Sequence, residues 1–275
     1  MAGVSGESLT AALADLEAQL PTATLPLAQE LFDFLGTLDS SAGLRRALTD
    51  PSRSAADKSA LAMQLVHGKV SAQAESVVSK LVASRWSDAR DLGDALETLA
   101  ATVAIAVAEN RAAAAASGIA GLEQLENDLF VFNRTVEASH ELQAALAEPQ
   151  ASGAAKTELA LKLVPSAGEE ARLLISQAVR NPRGVKATKL VERFATLAAA
   201  RQERWIATVA VSRPLTQQQT DRMQVGLNAL YGRELKVNVT VDPTLIGGVR
   251  VKVGDEVVDA SVITRLGELR RQLAG

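Results

Sequence analysis

Among the side chains that perform acid–base or metal chemistry, this chain of 275 residues has 32 carboxylates but only two histidines and no cysteine. Carboxylates cluster near the C-terminal end, at Asp255, Glu256 and Asp259. Histidine occurs only at His67 and His140, which excludes a histidine-based metal cluster. Cysteine is absent, which removes thiolate nucleophiles and zinc–thiolate sites. We therefore expect no metal ion and no cofactor.

The carboxylate cluster has two interpretations, an acid–base pair or a tight turn. Gly254-Asp255 suits a two-residue hairpin loop, because glycine at the first central position tolerates the positive φ that such a loop needs. In that hairpin Asp255 and Glu256 flank the turn and point apart. The turn is the favoured interpretation, and no catalytic residue is predicted here.

Two other catalytic or nucleotide-binding patterns are incomplete. Ser, His and Asp are all present, but no Gly-x-Ser-x-Gly elbow accompanies them. The segments closest to a phosphate loop are His67-Gly68-Lys69-Val70 and Gly247-Gly248, and neither completes Gly-x4-Gly-Lys-Ser/Thr. We expect no nucleotide binding and no enzymatic activity.

Composition favours closely packed helices over a ligand pocket lined by rings. Hydrophobic residues make up 47% of the chain and aromatic residues only 3%, so the core must consist of Ala, Leu and Val. The net charge of −3 argues against a nucleic-acid partner. The longest apolar stretch, Leu99 to Ala108, is too short to cross a bilayer. The first residues lack the basic start and apolar run of a signal peptide. We expect a soluble chain that associates with a membrane only indirectly.

The helical part of the sequence contains an internal repeat. A shift of 98 positions places residues 142–164 over residues 44–66, with eleven of twenty-three positions identical. The same shift pairs Leu31-Phe32 with Leu129-Phe130. The register slips between the copies where one has Ser84-Arg-Trp-Ser-Asp and the other Arg180-Asn-Pro-Arg-Gly. This pattern indicates duplication of a domain of about six short helices.

The predicted fold is therefore mainly α, with two tandem six-helix bundles followed by a small α/β domain. The predicted folding units are residues 1–107, 108–205 and 206–275. Asp88 to Ser117 fits either one long helix or two. From Trp205 the apolar period changes from helical to alternating. This change predicts a strand from Ile206 to Val211, followed by a helix, three strands and a final helix.

Two surfaces of the last unit are candidates for partner binding. On the strand that contains Val249, Val251 and Val253, Arg250 and Lys252 point to the opposite face, as a solvated face or a partner contact. The final helix carries a narrow apolar seam of Val262, Leu266, Leu269 and Leu273. That seam either docks a partner helix or covers the sheet of its own domain.

The tail carries a family resemblance. Leu245-Ile-Gly-Gly-Val-Arg250, then Gly254-Asp-Glu-Val-Val-Asp259, then the amphipathic helix from Ser261 to Ala274, resembles the C-terminal signature of the delta subunit of F-type ATP synthases. The mitochondrial counterpart is the oligomycin-sensitivity-conferring protein. A single helical bundle before a small α/β domain is the usual plan of that family. The present chain resembles the lengthened actinobacterial form, with the bundle present twice.

The resemblance implies a non-catalytic stator subunit of the proton-translocating ATP synthase. Its helical bundle is expected to bind N-terminal helices of the alpha subunits on the catalytic head. The C-terminal domain is expected to bind the b subunits of the peripheral stalk. The implied location is the cytoplasmic face of the bacterial plasma membrane, held there through the complex. The alternative is a soluble helical adaptor or regulatory protein with an α/β tail.

Overall fold

The computed structural model describes residues 3–114, 120–231, 235–245, 247–254 and 256–259. The described residues form twelve α-helices, one 3-10 turn and a four-stranded sheet, which confirms the predicted mainly α class with a small α/β tail. In chain order the helices of the first repeat are α1 (Val4–Glu17), α2 (Leu25–Ser40), α3 (Ala42–Thr49), α4 (Ala55–Val66), α5 (Ala72–Ala83) and α6 (Ala89–Ala114). Those that follow are α7 (Ala120–Glu137), α8 (His140–Ala147), α9 (Gly153–Leu163), α10 (Glu169–Arg180) and α11 (Ala187–Glu203). The last unit contains β1 (Ile206–Val211), α12 (Gln217–Tyr231), β2 (Lys236–Val241), β3 (Val249–Val253) and β4 (Glu256–Asp259).

The chain divides into two compact units. The first contains α1 to α10 and α11 as far as Ala198, and the second contains the end of α11 and the sheet with α12. Among the described residues, no helix is both long enough and apolar enough to span a membrane.

The duplication is visible in the way that equivalent helices begin. Ser41 and Ser54 accept hydrogen bonds from backbone N–H groups at the starts of α3 and α4. Ser139 and Ser152 do the same for α8 and α9. These side chains satisfy amides that have no partner within the helix, so each copy fixes its helix starts by the same means.

A second pair of equivalent contacts ties helices together within each copy. In the first repeat, the Glu30 carboxylate accepts hydrogen bonds from Ser71 N at 3.1 Å and Ser71 Oγ at 2.6 Å, just before α5. In the second repeat, Asp128 Oδ2 accepts from Gly168 N at 2.9 Å, just before α10. A carboxylate of the long second helix thus caps the fifth helix in both copies. An anion at this helix end is stabilised by the exposed N–H groups there.

Helix α6 is the centre of the first unit. Its apolar residues are buried on all sides from Leu92 to Ala108, the pattern of a helix surrounded by others. It packs against α1, α2, α3 and α5 of the first repeat and against α10 of the second. The predicted boundary between residues 107 and 108 falls inside this helix, so α6 belongs to both repeats. The sequence left open one helix or two, and the structure has one.

Close packing around α6 depends on small residues. Gly121, near the start of α7, lies so near α6 that an added Cβ would overlap the carbonyl oxygen of Ala108. Phe32 of α2 and Phe194 of α11 bring their rings to a centroid distance of 6.4 Å, which joins the two repeats through their cores.

The sheet of the second unit has the order β2-β1-β3-β4. Strand β1 pairs with β2 in parallel through the crossover helix α12, and with β3 antiparallel. The core cluster consists of one face of the sheet and α12: Ala207, Val209, Val211, Leu227, Leu235, Val251 and Val253. Gly254 has a φ of 57°, as the hairpin prediction requires, and Val253 pairs directly with Glu256 across the loop.

Candidate partner-binding surfaces

The predicted site residues fall into two groups in the structure. Val262, Leu266, Leu269 and Leu273 lie outside the described residues, so their docking role stays a prediction. Arg250 and Lys252 lie on β3 and are both exposed. They pair across the sheet with Ala210 and Thr208 of β1.

Arg250 and Lys252 occupy the sheet face opposite the core, as predicted. Val251 and Val253, which alternate with them, are buried against the core cluster. On β2, exposed Lys236 and Asn238 alternate with the partly buried Val237 and Val239. On β4 the exposed Val257 pairs with Lys252, and Asp259 pairs with Arg250. The role of this face in partner binding stays a prediction.

The carboxylates and histidines of the sequence form no metal cluster in the described part of the chain. Glu256 is exposed at the start of β4. Asp255 lies outside the described residues, and only the strand position of Asp259 is described. Glu75 Oε1 lies 3.1 Å from His67 Nδ1 and accepts the Gly68 N–H, an arrangement on the surface of the first repeat.

A buried ion cluster joins the two repeats, and sequence reasoning missed it. Arg183, in the turn between α10 and α11, places Nη1 2.6 Å from Asp94 Oδ1 of α6 and 3.8 Å from Glu97 Oε2. Its Nε lies 3.0 Å from Asp39 Oδ2 at the end of α2, an ion pair without hydrogen-bond alignment. The Arg183 side chain is only 10% exposed. One guanidinium of the second repeat therefore holds three carboxylates of the first.

The local backbone is shaped for this insertion. Arg183 has a φ of 52°, a conformation unusual for a residue with a side chain. The carbonyl oxygen of Arg183 accepts a hydrogen bond at 3.0 Å from Arg90, at the start of α6. A Cβ added at Gly93 would overlap the Arg183 guanidinium, so glycine leaves room for the position that Arg183 takes here. We call this surface of the first repeat, formed by Asp39, Arg45, Asp88 to Arg90 and Asp94, the arginine seat.

Glu97 is the unusual member of the cluster. It is 5% exposed, and its Oε1 has no hydrogen-bond partner among the described residues. Burial raises the pKa of Glu97 to about 7, against the opposing effect of the Arg183 charge, and nearby Asp94 adds to the rise. Desolvation disfavours the charged carboxylate more than a single shared cation favours it.

The helix pair α1 and α5 offers a shallower surface. The two helices pack together, and Lys80 of α5 forms an ion pair of 3.1 Å with Asp15 of α1. Between them lies a shallow groove over Leu16, Val77 and Leu81. This groove lacks the depth to hold a small molecule, but helix pairs of this kind can take a third helix along their length.

Comparison with known proteins decides the family. The model of the ATP synthase delta (OSCP) subunit family matches residues 107–273, more than half of the chain. The chain belongs to this family. Proteins named ATP synthase subunit delta from Pseudarthrobacter chlorophenolicus and Renibacterium salmoninarum are 72% and 67% identical to it, each over all of both chains. One from Streptomyces coelicolor is 38% identical over all of this chain and 98% of its own.

The family match begins at residue 107, inside α6, at the predicted boundary of the repeat. The second repeat and the C-terminal unit together therefore correspond to the family model, and the first repeat is additional to it. The relatives match the whole length of this chain, so they share the lengthened form. A chain of the Toxoplasma gondii mitochondrial ATP synthase hexamer covers 64% of this chain and 97% of its own at 18% identity, with a TM-score of 0.37, too low to compare folds.

Proposed function

We propose that the protein is a non-catalytic stator subunit of the F-type proton-translocating ATP synthase. It links the top of the alpha/beta head to the b subunits of the peripheral stalk and resists the torque of the rotor. The observation that carries the proposal is the end-to-end match to relatives named ATP synthase subunit delta. The protein works through its surfaces and has no active site of its own.

The build of the first unit supports a role in bearing load. Helix α6 runs through both repeats, and the Arg183 cluster and the Phe32–Phe194 contact join them at two further points. Close-packed interiors have low compressibility and pass strain on. A body of this kind suits a part that must resist deformation.

We assign the partners by unit. The helical unit binds N-terminal helices of the alpha subunits, with the α1–α5 groove and its second-repeat counterpart between α6 and α10 as the candidate sites. The C-terminal unit binds the b subunits through the final helix or through the Arg250 and Lys252 face of the sheet. The protein is then peripheral, on the cytoplasmic face of the plasma membrane, and is held there by the complex.

Leu269→Glu tests the stator role. The change puts a carboxylate into the apolar seam predicted from the sequence, and burying an unpaired charge costs several kcal/mol. We expect the head to detach from the membrane sector, so that ATP hydrolysis continues while ATP-driven proton pumping in inverted vesicles falls sharply. Arg271→Ala is the matched control, because a solvated arginine contributes little.

The outcomes separate the alternatives. Circular dichroism of the purified variant must show the helical signal unchanged, since the bundles lie in another unit. Unaltered proton pumping in a Leu269→Glu complex would contradict the docking role of the final helix. Failure of the wild-type protein to co-purify with the ATPase head would contradict the stator proposal itself and favour the adaptor.

A further inference from the structure

The second repeat has its own version of the arginine seat, and in the described structure it is open. The positions equivalent to Asp39, Arg45 and Asp88 are Glu137, Gln143 and Lys186. These three residues line a groove of about 910 Å³ between the end of α7, α8, α9 and the start of α11. In the first repeat the same surface forms one side of a groove of about 600 Å³, and the turn that contains Arg183 forms the other side and reaches Asp39. We call the open version the α8–α11 groove.

The floor of the α8–α11 groove is apolar. Val136 and Leu146 reach its surface from the core of the second repeat, and Pro182 and Val185 form its opposite wall. Ala144 and Ala147 of α8 also line it and leave space above the floor. A groove with small side chains on one wall and branched apolar ones beneath suits the apolar side of a peptide segment.

The charged residues of the α8–α11 groove differ from those of the arginine seat. Lys186 stands where the first repeat has Asp88, and Lys189 where it has Asp91. Ala195 replaces the third carboxylate of the cluster, Glu97. The other two carboxylates that hold Arg183 keep acidic counterparts, Glu137 for Asp39 and Glu192 for Asp94. The second repeat therefore adds lysines at the rim while it loses one acid.

The space available at this surface also differs between the two repeats. The position equivalent to Gly93, which leaves room for the Arg183 guanidinium, is Val191 in the second repeat. A side chain at this position fills the space that an inserted guanidinium needs. The groove is thus closed to the kind of contact that its counterpart makes.

The side chains of two rim lysines make no hydrogen bond or ion pair within the described residues. Lys58 of the first repeat is buried and donates a hydrogen bond to Ser84 O at 3.1 Å. Its counterpart Lys156 lies at the groove, and neither its ammonium group nor that of the exposed Lys186 has such a partner there. Lys189 pairs with Glu192 at 2.7 Å, and Glu137 is the remaining acid of the lining. The unpaired charge facing the groove is mainly positive.

We propose that the α8–α11 groove binds an acidic amphipathic segment of a partner protein, with its apolar side on the floor and its carboxylates on Lys156 and Lys186. The turn that lies against the arginine seat shows that the equivalent surface of the first repeat contacts a chain segment. The two lysine side chains without an ion pair set the charge that the segment must carry. Opposite charges at an exposed rim mainly give specificity and a fast association, and they make binding sensitive to salt.

The test uses the purified full-length chain and two synthetic peptides of about 15 residues, a length at which a bound helix can form. Both peptides carry the same leucine seam, one flanked by glutamates and the other by lysines, and binding is followed by fluorescence anisotropy. We expect the acidic peptide to bind with a Kd that rises several-fold with added salt, and the basic peptide to bind at least about tenfold more weakly, a difference of about 1.4 kcal/mol.

Variants of the chain locate the site. Lys156→Glu with Lys186→Glu is expected to weaken the acidic peptide at least about tenfold, and the neutral pair Lys156→Gln with Lys186→Gln by a smaller factor. Lys162→Glu is the control, because Lys162 lies on the same helix, outside the groove lining, and pairs only with Glu158. A photo-crosslinker placed at position 147 is expected to capture the acidic peptide.

Several results would overturn the proposal: equal binding of the two peptides, binding unaffected by both lysine pairs, or crosslinks that map elsewhere on the chain. Concentration-dependent dimerisation abolished by the same lysine pairs would assign the groove to a second copy instead. Circular dichroism checks the fold of each variant, and the neutral pair keeps the test valid should the charge-reversed pair not fold. The proposal does not rest on the stator role, and no ATP synthase is needed to test it.

Discussion

At the scale of single residues, the ion cluster around Arg183 defines how the two repeats meet. One guanidinium lies among Asp39, Asp94 and Glu97. Arg45 and Arg90 of the first repeat also lie 4.0 Å from Asp39 and 3.7 Å from Asp94. A buried ion pair contributes little net stability by itself, whereas loss of one partner leaves an uncompensated charge. The cluster therefore fixes the position of the second repeat against the first more than it stabilises the fold.

Glu97 makes the free energy of unfolding depend on pH, and the direction of this dependence follows from its pKa. Its pKa in the folded protein is raised by burial from the ordinary 4.5 to about 7, so the folded state binds more protons between these values. The free energy of unfolding therefore falls as pH rises through this window, and the full cost of charging Glu97 is present above about pH 7. The groups that act on it are Arg183, Asp94, Arg193 and Asp39.

Glu97→Gln is expected to remove this slope. Between pH 4.5 and pH 8, we expect the wild type to lose about 2–3 kcal/mol of unfolding free energy relative to the variant. The variant is therefore favoured at high pH. Urea unfolding at closely spaced pH values measures this loss. Glu141→Gln, on the exposed surface of α8, serves as the comparison and should leave the slope unchanged. A Glu97→Gln variant with the wild-type slope would show that Glu97 is ionised throughout.

At the scale of elements, α6 determines the stability of the helical unit. Ala104 is fully buried at its middle, where neighbouring helices approach closely. Ala104→Leu forces three extra carbons and their hydrogens into a filled space, which typically costs about 1–3 kcal/mol. Ala14→Leu on the exposed side of α1 is the matched control and should change stability by less than about 0.5 kcal/mol. Equal urea midpoints for the two variants would mean that α6 is loosely packed.

The elements show what the sequence could and could not predict. Strand β1 has the predicted bounds, Ile206–Val211, because alternation of apolar residues is a local signal. The repeat could also be recognised in the sequence, because its Pro, Lys and Leu-Val positions recur at one spacing. Whether α6 was one helix or two was left open, because the apolar stripe of Leu92, Leu96, Leu99 and Val103 runs into an alanine-rich stretch with no stripe of its own. Its continuity follows from helices packed around it.

The arginine seat could not be predicted, because it depends on contacts between distant segments. Arg183 lies where the alignment of the two repeats slips, so the duplication gave no counterpart for it. The available signals were a glycine inside a helix, Gly93, and the Pro182-Arg183-Gly184 turn, and each also has a local explanation.

The exposure of Phe130 could not be predicted from the repeat either. Phe130 is 60% exposed although its repeat counterpart Phe32 is buried, since only Phe32 meets Phe194.

At the scale of the whole molecule, the shared helix bears on how the chain unfolds. The division into residues 1–107, 108–205 and 206–275 stays a prediction, tested by proteolysis expected near residues 112–121 or around Arg204. The structure adds that both sides of residue 107 lie in one buried helix. Separating the repeats there exposes apolar surface of α6, which opposes independent unfolding.

We therefore expect the two helical repeats to open together. Native-state hydrogen exchange by mass spectrometry should give α2, α6 and α10 the same free energy of opening, while the sheet of the second unit opens independently. The Ala104→Leu variant should lower the value for both repeats by the same amount. Opening of α7 to α10 at a lower denaturant concentration than α1 to α5 would instead support separable bundles.

Because α6 belongs to both repeats, its length fixes how far the second repeat is rotated about the helix axis relative to the first. Each residue of α6 advances its axis by about 1.5 Å and turns it by about 100°. A single residue inserted between Leu92 and Ala108 would swing every contact surface of the second repeat through about 100° around that axis. Arg183 would then no longer face Asp94, and Phe194 would leave Phe32. The number of residues along α6 is thus as strict a requirement as their apolar character. Changes of length are better tolerated in the turns between the other helices, except in the turn that carries Arg183.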